Sequence, residues 1–249
     1  MNNILKYSLL FFTFLISFST YGQVYEIPYG KETATRTLLI PAENSKATVL
    51  LFIGGNGMVG LTDTGSTSHR HTFIRSKDNW KKYGINAVIV DSPNDLGSAS
   101  KGHYRNTDNH IGRTEAVIKF YKAKMNQPIW IFGHSNGTIT VAAIVTKKPE
   151  IQVDLAGLIV AGTHKDESIP NNITLPLLAI HHPKDGCWAT PFSASEEIVK
   201  QRDKKFKTQL IVIDGGFDQG NPCQAMSYHG FNGTEEQLIE QAAKFILSN

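Results

Sequence analysis

The chain has 249 residues, of which 41% are apolar and 19% charged, and these values exclude a disordered, fibrous or coiled-coil protein. Its formal charge of +3 becomes +2 when a predicted leader carrying Lys6 is removed. So small a positive charge does not favour nucleic acid or an anionic membrane surface as a partner, and we expect neither.

Residues 1–22 have the pattern of a signal peptide. Lys6 lies in a short polar start, residues 9–18 form an apolar run, and Thr20 and Gly22 place small residues before a cut at Gln23. The apolar run is shorter than the roughly 20 residues that a membrane-spanning helix needs. We therefore expect export to the periplasm or the medium, cleavage, and one domain over residues 23–249 that has no membrane attachment.

From residue 23 onward, short β-branched runs alternate with longer amphipathic stretches. The runs predict strands at 35–40, 48–53, 87–90, 129–132, 156–161, 177–181 and 209–213. The stretches predict helices at 73–82, 109–125, 137–147, 193–203 and 234–247. Repeated strand–helix alternation predicts an α/β protein with a mainly parallel sheet, in which chemistry lies at the carboxyl ends of the strands.

The strongest motif lies at a strand-to-helix junction. Gly-His-Ser-Asn-Gly, residues 133–137, follows the predicted strand at 129–132 and leads into a predicted helix. In such a nucleophile elbow the turn is tight enough to need glycines, and the serine hydroxyl projects above the sheet. We predict Ser135 as a nucleophile; the alternative is a glycine-rich turn with an ordinary N-capping serine.

A serine hydroxyl is a weak nucleophile at neutral pH and needs a histidine base that a carboxylate orients. Asp185 follows the predicted strand at 177–181, and His229 lies between the strand at 209–213 and the last helix. We predict Asp185 as the acid and His229 as the base. Three competing carboxylates could instead be solvated loop residues or turn caps: Asp166, Asp214 and Asp218.

Three other histidines lie near these positions. His181 and His182 are adjacent and so point opposite ways on a strand, and we expect one of them to be packed in the interior. His134 precedes the nucleophile and is expected to face away from the substrate.

The transition state of ester or amide hydrolysis carries negative charge on the carbonyl oxygen, which preorganised N–H groups stabilise. We predict two such donors, the backbone N–H of Asn136 and that of Asn56 in the glycine-rich loop 54–57. A phosphate cradle is the competing interpretation of this loop, but neither nucleotide-binding glycine pattern is complete, and we expect no cofactor.

Cys187 and Cys223 are the two cysteines of the chain. In an oxidising compartment an isolated pair favours a disulfide over a metal site, because no cluster of histidines or cysteines completes a zinc shell. A free pair is the alternative. A disulfide would tie the loop of the predicted acid to that of the predicted base.

The segment 95–113 follows a strand end and could line a substrate pocket. Within it we predict Arg105 and His110 as substrate-binding residues, because an arginine can pair bidentately with a substrate carboxylate. A solvated loop leading into a helix is the alternative. The same segment also holds His103, Tyr104 and Arg113.

Together these motifs resemble the α/β-hydrolase superfamily, and within it small exported bacterial members. The resemblance covers nearly all of residues 23–249 and implies a central, mostly parallel sheet flanked by helices and the triad given above. Because no long insertion follows the predicted strand at 156–161, we expect little or no lid. Gly54 is a departure, since many relatives carry a histidine there. The positions that carry the resemblance are 54–57, 91–93, 133–137, Asp185, Cys187, Cys223 and 229–231.

The sequence therefore predicts a serine hydrolase that cleaves a small ester or thioester through an acyl-serine intermediate. A peptidase or amidase using the same triad is one alternative. A catalytically silent protein of the same fold, used for binding, is an alternative from a different class. The oligomeric state is not predicted.

Overall fold

The computed structural model describes residues 22–93 and 104–249. Within them, eight strands form one sheet: β1 (Gln23–Tyr29), β2 (Glu32–Ile40), β3 (Ala47–Phe52), β4 (Ile85–Asp91), β5 (Ile129–His134), β6 (Gly157–Ala161), β7 (Leu177–His181) and β8 (Thr208–Val212). The α-helices of the described residues are α1 (Thr72–Arg75), α2 (Asp108–Met125), α3 (Asn136–Lys147), α4 (Phe192–Lys200) and α5 (Glu235–Leu247).

The strands lie in the order β1-β2-β4-β3-β5-β6-β7-β8. β1 and β2 pair antiparallel at one edge, and β2 also pairs antiparallel with β4. The other six strands, β4, β3, β5, β6, β7 and β8, run parallel to one another. The chain leaves β3 toward β4 on one side and later returns to pair β5 on the other side. Loops that follow β3 and β5 therefore meet at the carboxyl edge, at the reversal of strand order where open α/β sheets place their ligand sites.

The apolar core lies on both faces of the sheet. Leu50 and Phe52 of β3 face α2, α3 and α4, whereas Val49 and Leu51 face α1 and α5. Burial on both faces explains why β3 is a continuous apolar run without polar alternation. The parallel α/β architecture predicted from the sequence is confirmed.

Two elements differ from the sequence-based prediction. β1 was not predicted: it is a half-exposed edge strand in which Ile27 alone is fully buried. The expected helix at 73–82 is instead the short α1 followed by a 3-10 helix, Lys77–Tyr83. α1 ends at Ser76, which has φ −106° and ψ 7° and whose backbone N–H and hydroxyl both donate to Thr72 O, at 3.0 and 2.8 Å.

The connection between β6 and β7, residues 162–176, contains no helix, so it forms no helical lid. None of the helices in the described ranges is both long and apolar enough to cross a membrane. Residues 1–21 of the expected leader, and His103, lie outside the described residues.

Candidate active site

Ser135 lies in a strained turn between β5 and α3, with φ 55° and ψ −127°. The flanking glycines allow this turn. A Cβ on Gly133 would lie 2.2 Å from Gly137 O, and a Cβ on Gly137 would lie 2.0 Å from Phe52 O. A serine held at positive φ by such packing is typical of a functional position.

Asp185 and His229 are hydrogen-bonded at the same edge of the sheet. His229 Nδ1 lies 2.8 Å from Asp185 Oδ2. Thr190 Oγ1 donates to the same oxygen at 3.2 Å, and Cys187 N–H donates to Asp185 Oδ1 at 2.8 Å. Both oxygens of this carboxylate are thus occupied, which fixes its orientation toward His229.

Asp185 is held ionised. Burial raises the pKa of this carboxyl, but the nearby side chains of His181 and His229, together with the Cys187 N–H, outweigh burial and bring the pKa well below its ordinary range. Because ionised Asp185 accepts a hydrogen bond from His229 Nδ1–H, a neutral His229 carries its lone pair on Nε2.

The base loop packs directly on the elbow. His134, which precedes Ser135, places Nε2 2.8 Å from His229 O, and the two imidazole rings lie 4.8 Å apart. Gly162 lies against His229 and Asp185, since a Cβ there would be 3.3 Å from His229 Cε1 and 3.6 Å from Asp185 Oδ2. Among the described residues, Ser135 Oγ makes no hydrogen bond to His229; such contacts are often long before substrate binds.

The loop 54–57 approaches the serine closely. A Cβ on Gly54 would lie 2.8 Å from Ser135 Cβ, so a larger residue there would displace the nucleophile. Asn136 Nδ2 donates to Gly55 O at 3.1 Å and joins the loop to the first turn of α3. Within the described ranges the backbone N–H of Asn56 has no acceptor, and Asn56 is exposed. The loop that carries the predicted donor Asn56 thus contacts both Ser135 and Asn136.

Two buried histidines, His71 and His134, lie beneath the loop 54–57. Gly54 N–H donates to His71 Nε2 at 3.1 Å, and the same nitrogen lies 2.8 Å from His134 Nδ1. Burial lowers the pKa of His134 to about 3 and that of His71 well below its usual value, and nearby histidines lower both further. Both rings are therefore neutral. Sequence reasoning missed His71, because a histidine in a loop before a four-residue helix carries no local signal.

Arg105 and His110, predicted as substrate-binding residues, are both buried. Arg105 is 1% exposed, and its guanidinium donates to Ile53 O at 2.8 Å, to Gly55 O at 3.3 Å and to Thr140 Oγ1 at 2.7 Å. His110 Nε2 lies 2.9 Å from the same hydroxyl and is also buried. This corrects the prediction: Arg105 holds the backbone of the glycine-rich loop rather than facing a ligand.

A second polar cluster fixes the other end of this loop. Asp91, at the end of β4, accepts hydrogen bonds from three consecutive backbone N–H groups, those of residues 59–61. The Tyr104 hydroxyl lies 2.8 Å from Ser92 Oγ and also donates to Asn56 O. The loop after β3 is therefore preorganised from both sides.

The competing carboxylates lie elsewhere. Asp214 is exposed and lies 3.5 Å from Lys184 Nζ, and Asp166 and Asp218 are exposed.

The adjacent histidines His181 and His182 point in different directions. The His182 ring stacks on Tyr228 at 4.5 Å, whereas His181 Nε2 lies 3.4 Å from Asp185 Oδ2.

The two cysteines form a disulfide that joins residues 36 apart in the sequence. It links the residue whose N–H holds Asp185 to the loop that precedes His229. The expected pairing of Cys187 with Cys223 is confirmed. The described residues contain no group of three or more side chains arranged to bind a metal ion.

A cavity of about 790 Å³ lies at the opposite, amino-terminal edge of the sheet. Its polar side chains bond to one another: Asn86 Nδ2 donates to Gln127 Oε1 at 3.2 Å and to Ser45 Oγ at 3.0 Å. It lacks a nucleophile paired with a base, so the chemistry is assigned to the edge that carries Ser135.

Comparison with known proteins finds similar solved structures but no similar sequence. No protein-family model matches the chain, and no curated protein sequence matches it. Among solved structures it is similar to a dienelactone hydrolase from Anabaena variabilis, with TM-score 0.65 and 13% identity over 91% of this chain and 98% of that one.

A serine hydrolase without a lid from Xanthomonas campestris aligns with TM-score 0.61 and 14% identity over 93% of this chain and 95% of that one. A monoglyceride lipase from Saccharomyces cerevisiae aligns with TM-score 0.62 and 13% identity over 95% and 97%. At such low identity the likeness is one of fold. The chain has the α/β-hydrolase fold.

Proposed function

We propose that this chain is an exported serine hydrolase that cleaves small esters or thioesters through an acyl intermediate on Ser135. The observation that carries the proposal is the 2.8 Å hydrogen bond between His229 and Asp185 at the sheet edge that bears the strained Ser135. A carboxylate-oriented histidine beside such a serine is the arrangement that acyl transfer requires.

In the proposed reaction His229 Nε2 takes the hydroxyl proton as Ser135 Oγ attacks the substrate carbonyl carbon. The N–H groups of Asn56 and Asn136 stabilise the resulting oxyanion. The intermediate then expels the alcohol or thiol, which leaves with the proton from His229. Water, deprotonated by His229, releases the acid and restores Ser135.

Two features support the substrate size and the compartment. The connection 162–176 has no helix that could cover a long acyl chain, which favours small substrates. The disulfide favours an oxidising compartment, in agreement with the leader pattern at residues 1–22.

The test is a panel of p-nitrophenyl esters from acetate to decanoate, with a matched thioester and a matched anilide. We expect kcat/KM to be highest for the short esters and to fall about a thousandfold or more in Asp185→Asn and His229→Gln. A higher kcat/KM for the anilide would favour the amidase alternative. No hydrolysis of any member by the folded protein would contradict the proposal and favour a binding protein.

A further inference from the structure

Arg105 is a buried cation whose hydrogen-bond partners in the described residues are all neutral. Its guanidinium donates to Ile53 O at 2.8 Å, to Gly55 O at 3.3 Å and to Thr140 Oγ1 at 2.7 Å. Within the described ranges no carboxylate lies at ion-pair distance from it. An arginine keeps its proton in proteins, and a charge that is buried without a counter-charge is costly. This part of the structure therefore holds an uncompensated positive charge beneath the loop 54–57.

One of the carbonyls that Arg105 contacts belongs to a predicted oxyanion donor. The oxygen of Gly55 and the N–H of Asn56 are the two ends of one peptide unit, which lies in the middle of a turn closed by a 3.1 Å hydrogen bond from Gly57 N–H. The oxygen receives the guanidinium of Arg105 from the interior and, at 3.1 Å, the side-chain Nδ2 of Asn136. Because the peptide is trans, its N–H points away from these two donors.

Donors on the oxygen of a peptide change what its N–H can do. They withdraw electron density from the N–H, which becomes a stronger donor. A positive charge on the oxygen side also attracts a negative charge that forms on the N–H side, and solvent screens this attraction only weakly when the cation is buried. In acyl transfer that negative charge is the oxyanion of the tetrahedral intermediate. The counter-charge of Arg105 would then form only during the reaction.

We propose that Arg105 and the side chain of Asn136 are positioning residues of the oxyanion site. They orient and polarise the peptide between Gly55 and Asn56, so that its N–H binds the oxyanion more tightly than it binds the neutral carbonyl of the substrate. The inference rests on the proposed function, because the oxyanion belongs to acyl transfer at Ser135. Both side chains act through the peptide and not on the substrate.

Two ketones with the same alkyl chain separate binding of the oxyanion from binding of the neutral carbonyl. Ser135 Oγ adds to the carbonyl carbon of a trifluoromethyl ketone: the C–O bond forms, the carbonyl π electrons become an oxyanion, and the hydroxyl proton passes to His229. The corresponding methyl ketone keeps its neutral carbonyl. The ratio of the methyl ketone Ki to the trifluoromethyl ketone Ki therefore measures the preference for the oxyanion.

We expect Arg105→Met to raise the Ki of the trifluoromethyl ketone about tenfold and that of the methyl ketone less than about twofold. The effect is smaller than the loss of a whole oxyanion donor, because the N–H of Asn56 is still present. The kcat/KM for p-nitrophenyl esters should fall by the same factor as the trifluoromethyl ketone affinity. A parallel loss for both ketones would mean that the loop has collapsed, and it would overturn the proposal.

Arg202→Met is the matched control. Arg202 is also buried, and its guanidinium donates to three backbone carbonyls, those of residues 170, 173 and 175, which precede β7 and not the oxyanion loop. We expect this variant to lose unfolding free energy, as Arg105→Met does, and to keep the wild-type ratio of the two Ki values. An equal fall of the ratio in Arg202→Met would overturn the proposal.

Asn136→Ala tests the same peptide from the surface and decides the matter if Arg105→Met does not fold. It keeps the backbone N–H of residue 136 and removes one donor from Gly55 O, so we expect the ratio to fall about threefold. An unchanged ratio in either folded variant would overturn the proposal. If the unsubstituted protein hydrolyses no ester and binds both ketones equally, the proposed function fails and the inference fails with it.

Discussion

Ser135 occupies a backbone region that serines rarely adopt, and the residues around it leave no room for larger side chains. Gly54 is the most informative of these neighbours, because a Cβ there would meet the nucleophile itself rather than the turn that holds it. Its backbone is also bonded to His71, so the loop cannot easily move away.

We expect Gly54→Ala to lower kcat/KM about 100-fold, because a displacement of the nucleophile by a few tenths of an ångström or more removes it from the attack geometry. Gly30→Ala is the control: Gly30 has a positive φ and open space around it, and it lies in the β1–β2 turn, four strand positions from β5. Esterase kinetics on the two variants make the comparison. Equal losses in both would show that general backbone strain, and not contact with Ser135, is responsible.

Arg105 lies in the interior and binds protein carbonyls, whereas the sequence predicts a contact with a substrate carboxylate. We expect Arg105→Met to reduce the free energy of unfolding by about 3 kcal/mol, because two backbone carbonyls and a hydroxyl lose a buried charged donor. The loss in kcat/KM should be the same factor for neutral and carboxylate-bearing esters. Urea denaturation and paired ester kinetics measure both, with the exposed Arg70→Met as control. A loss confined to carboxylate-bearing esters would restore the substrate-binding interpretation.

Among single residues, the sequence predicts the functional side chains that directly follow a strand. Ser135, Asp185 and His229 were selected because parallel strands bring their carboxyl ends together, and the structure brings these three to one edge. His71 and the inward turn of Arg105 could not be predicted, because their partners lie in distant loops and no local pattern encodes them.

Among the connecting elements, the loops after β7 and β8 carry the proposed acid and base and are tied by the disulfide. Cys187 takes part twice, through its sulfur and through the N–H that it donates to Asp185. The link therefore holds two segments that have little helix or strand structure of their own.

We expect the double variant Cys187→Ala, Cys223→Ala to lose about 4 kcal/mol of unfolding free energy in the chain-entropy model, given the 36-residue separation. Because the residue 187 N–H is retained, kcat in the folded fraction should fall less than it does in Asp185→Asn. Thermal unfolding and single-turnover acylation provide the two readouts. A complete loss of acylation in folded double variant would mean that the covalent link itself holds the acid in place.

The helices and strands differ in how well their sequences predict them. The strands of the sheet centre are long apolar runs and were predicted, whereas β1, with its half-exposed residues and Pro28, carries a weaker pattern. The break between α1 and the following 3-10 helix falls at the single residue Ser76, and hydrophobic periodicity does not resolve a boundary of that size.

In the molecule as a whole, several histidines are buried in their neutral form, and the free energy of unfolding therefore depends on pH. The pKa of His110 is lowered to about 3, by burial first and then by Arg105 and Arg113, and the pKa of His134 reaches a similar value. His71 shifts in the same direction. Unfolding lets these rings bind protons near their ordinary pKa of 6.5, so they favour the folded state above that pH and lose this contribution as the pH falls toward 3.

We therefore expect the free energy of unfolding to decrease between pH 6 and pH 5, by up to about 1.4 kcal/mol per pH unit for each such histidine. His110→Gln should remove one of these contributions and make the dependence shallower. Urea denaturation at pH 7.5, 6 and 5 measures it. Glu167, whose pKa burial raises to about 7, acts in the opposite sense in this range and is common to both proteins. Identical profiles for the unsubstituted protein and His110→Gln would therefore contradict the neutral state of His110.

The architecture follows from the alternation of apolar runs and amphipathic stretches, which a parallel sheet with helical crossovers satisfies. The strand order does not follow from that alternation, because the placement of β4 outside β3 depends on contacts far apart in the chain. That order puts the glycine-rich loop beside Ser135 and so creates the site.

The most direct test of the central claim is labelling with a fluorophosphonate, which reacts with activated serines. We predict a single adduct, mapped to Ser135 by peptide mass spectrometry, absent in Ser135→Ala and strongly slowed in His229→Gln. The folded state of each variant is verified by circular dichroism. No adduct on the folded, unsubstituted protein, or an adduct that persists in Ser135→Ala, would contradict Ser135 as the nucleophile.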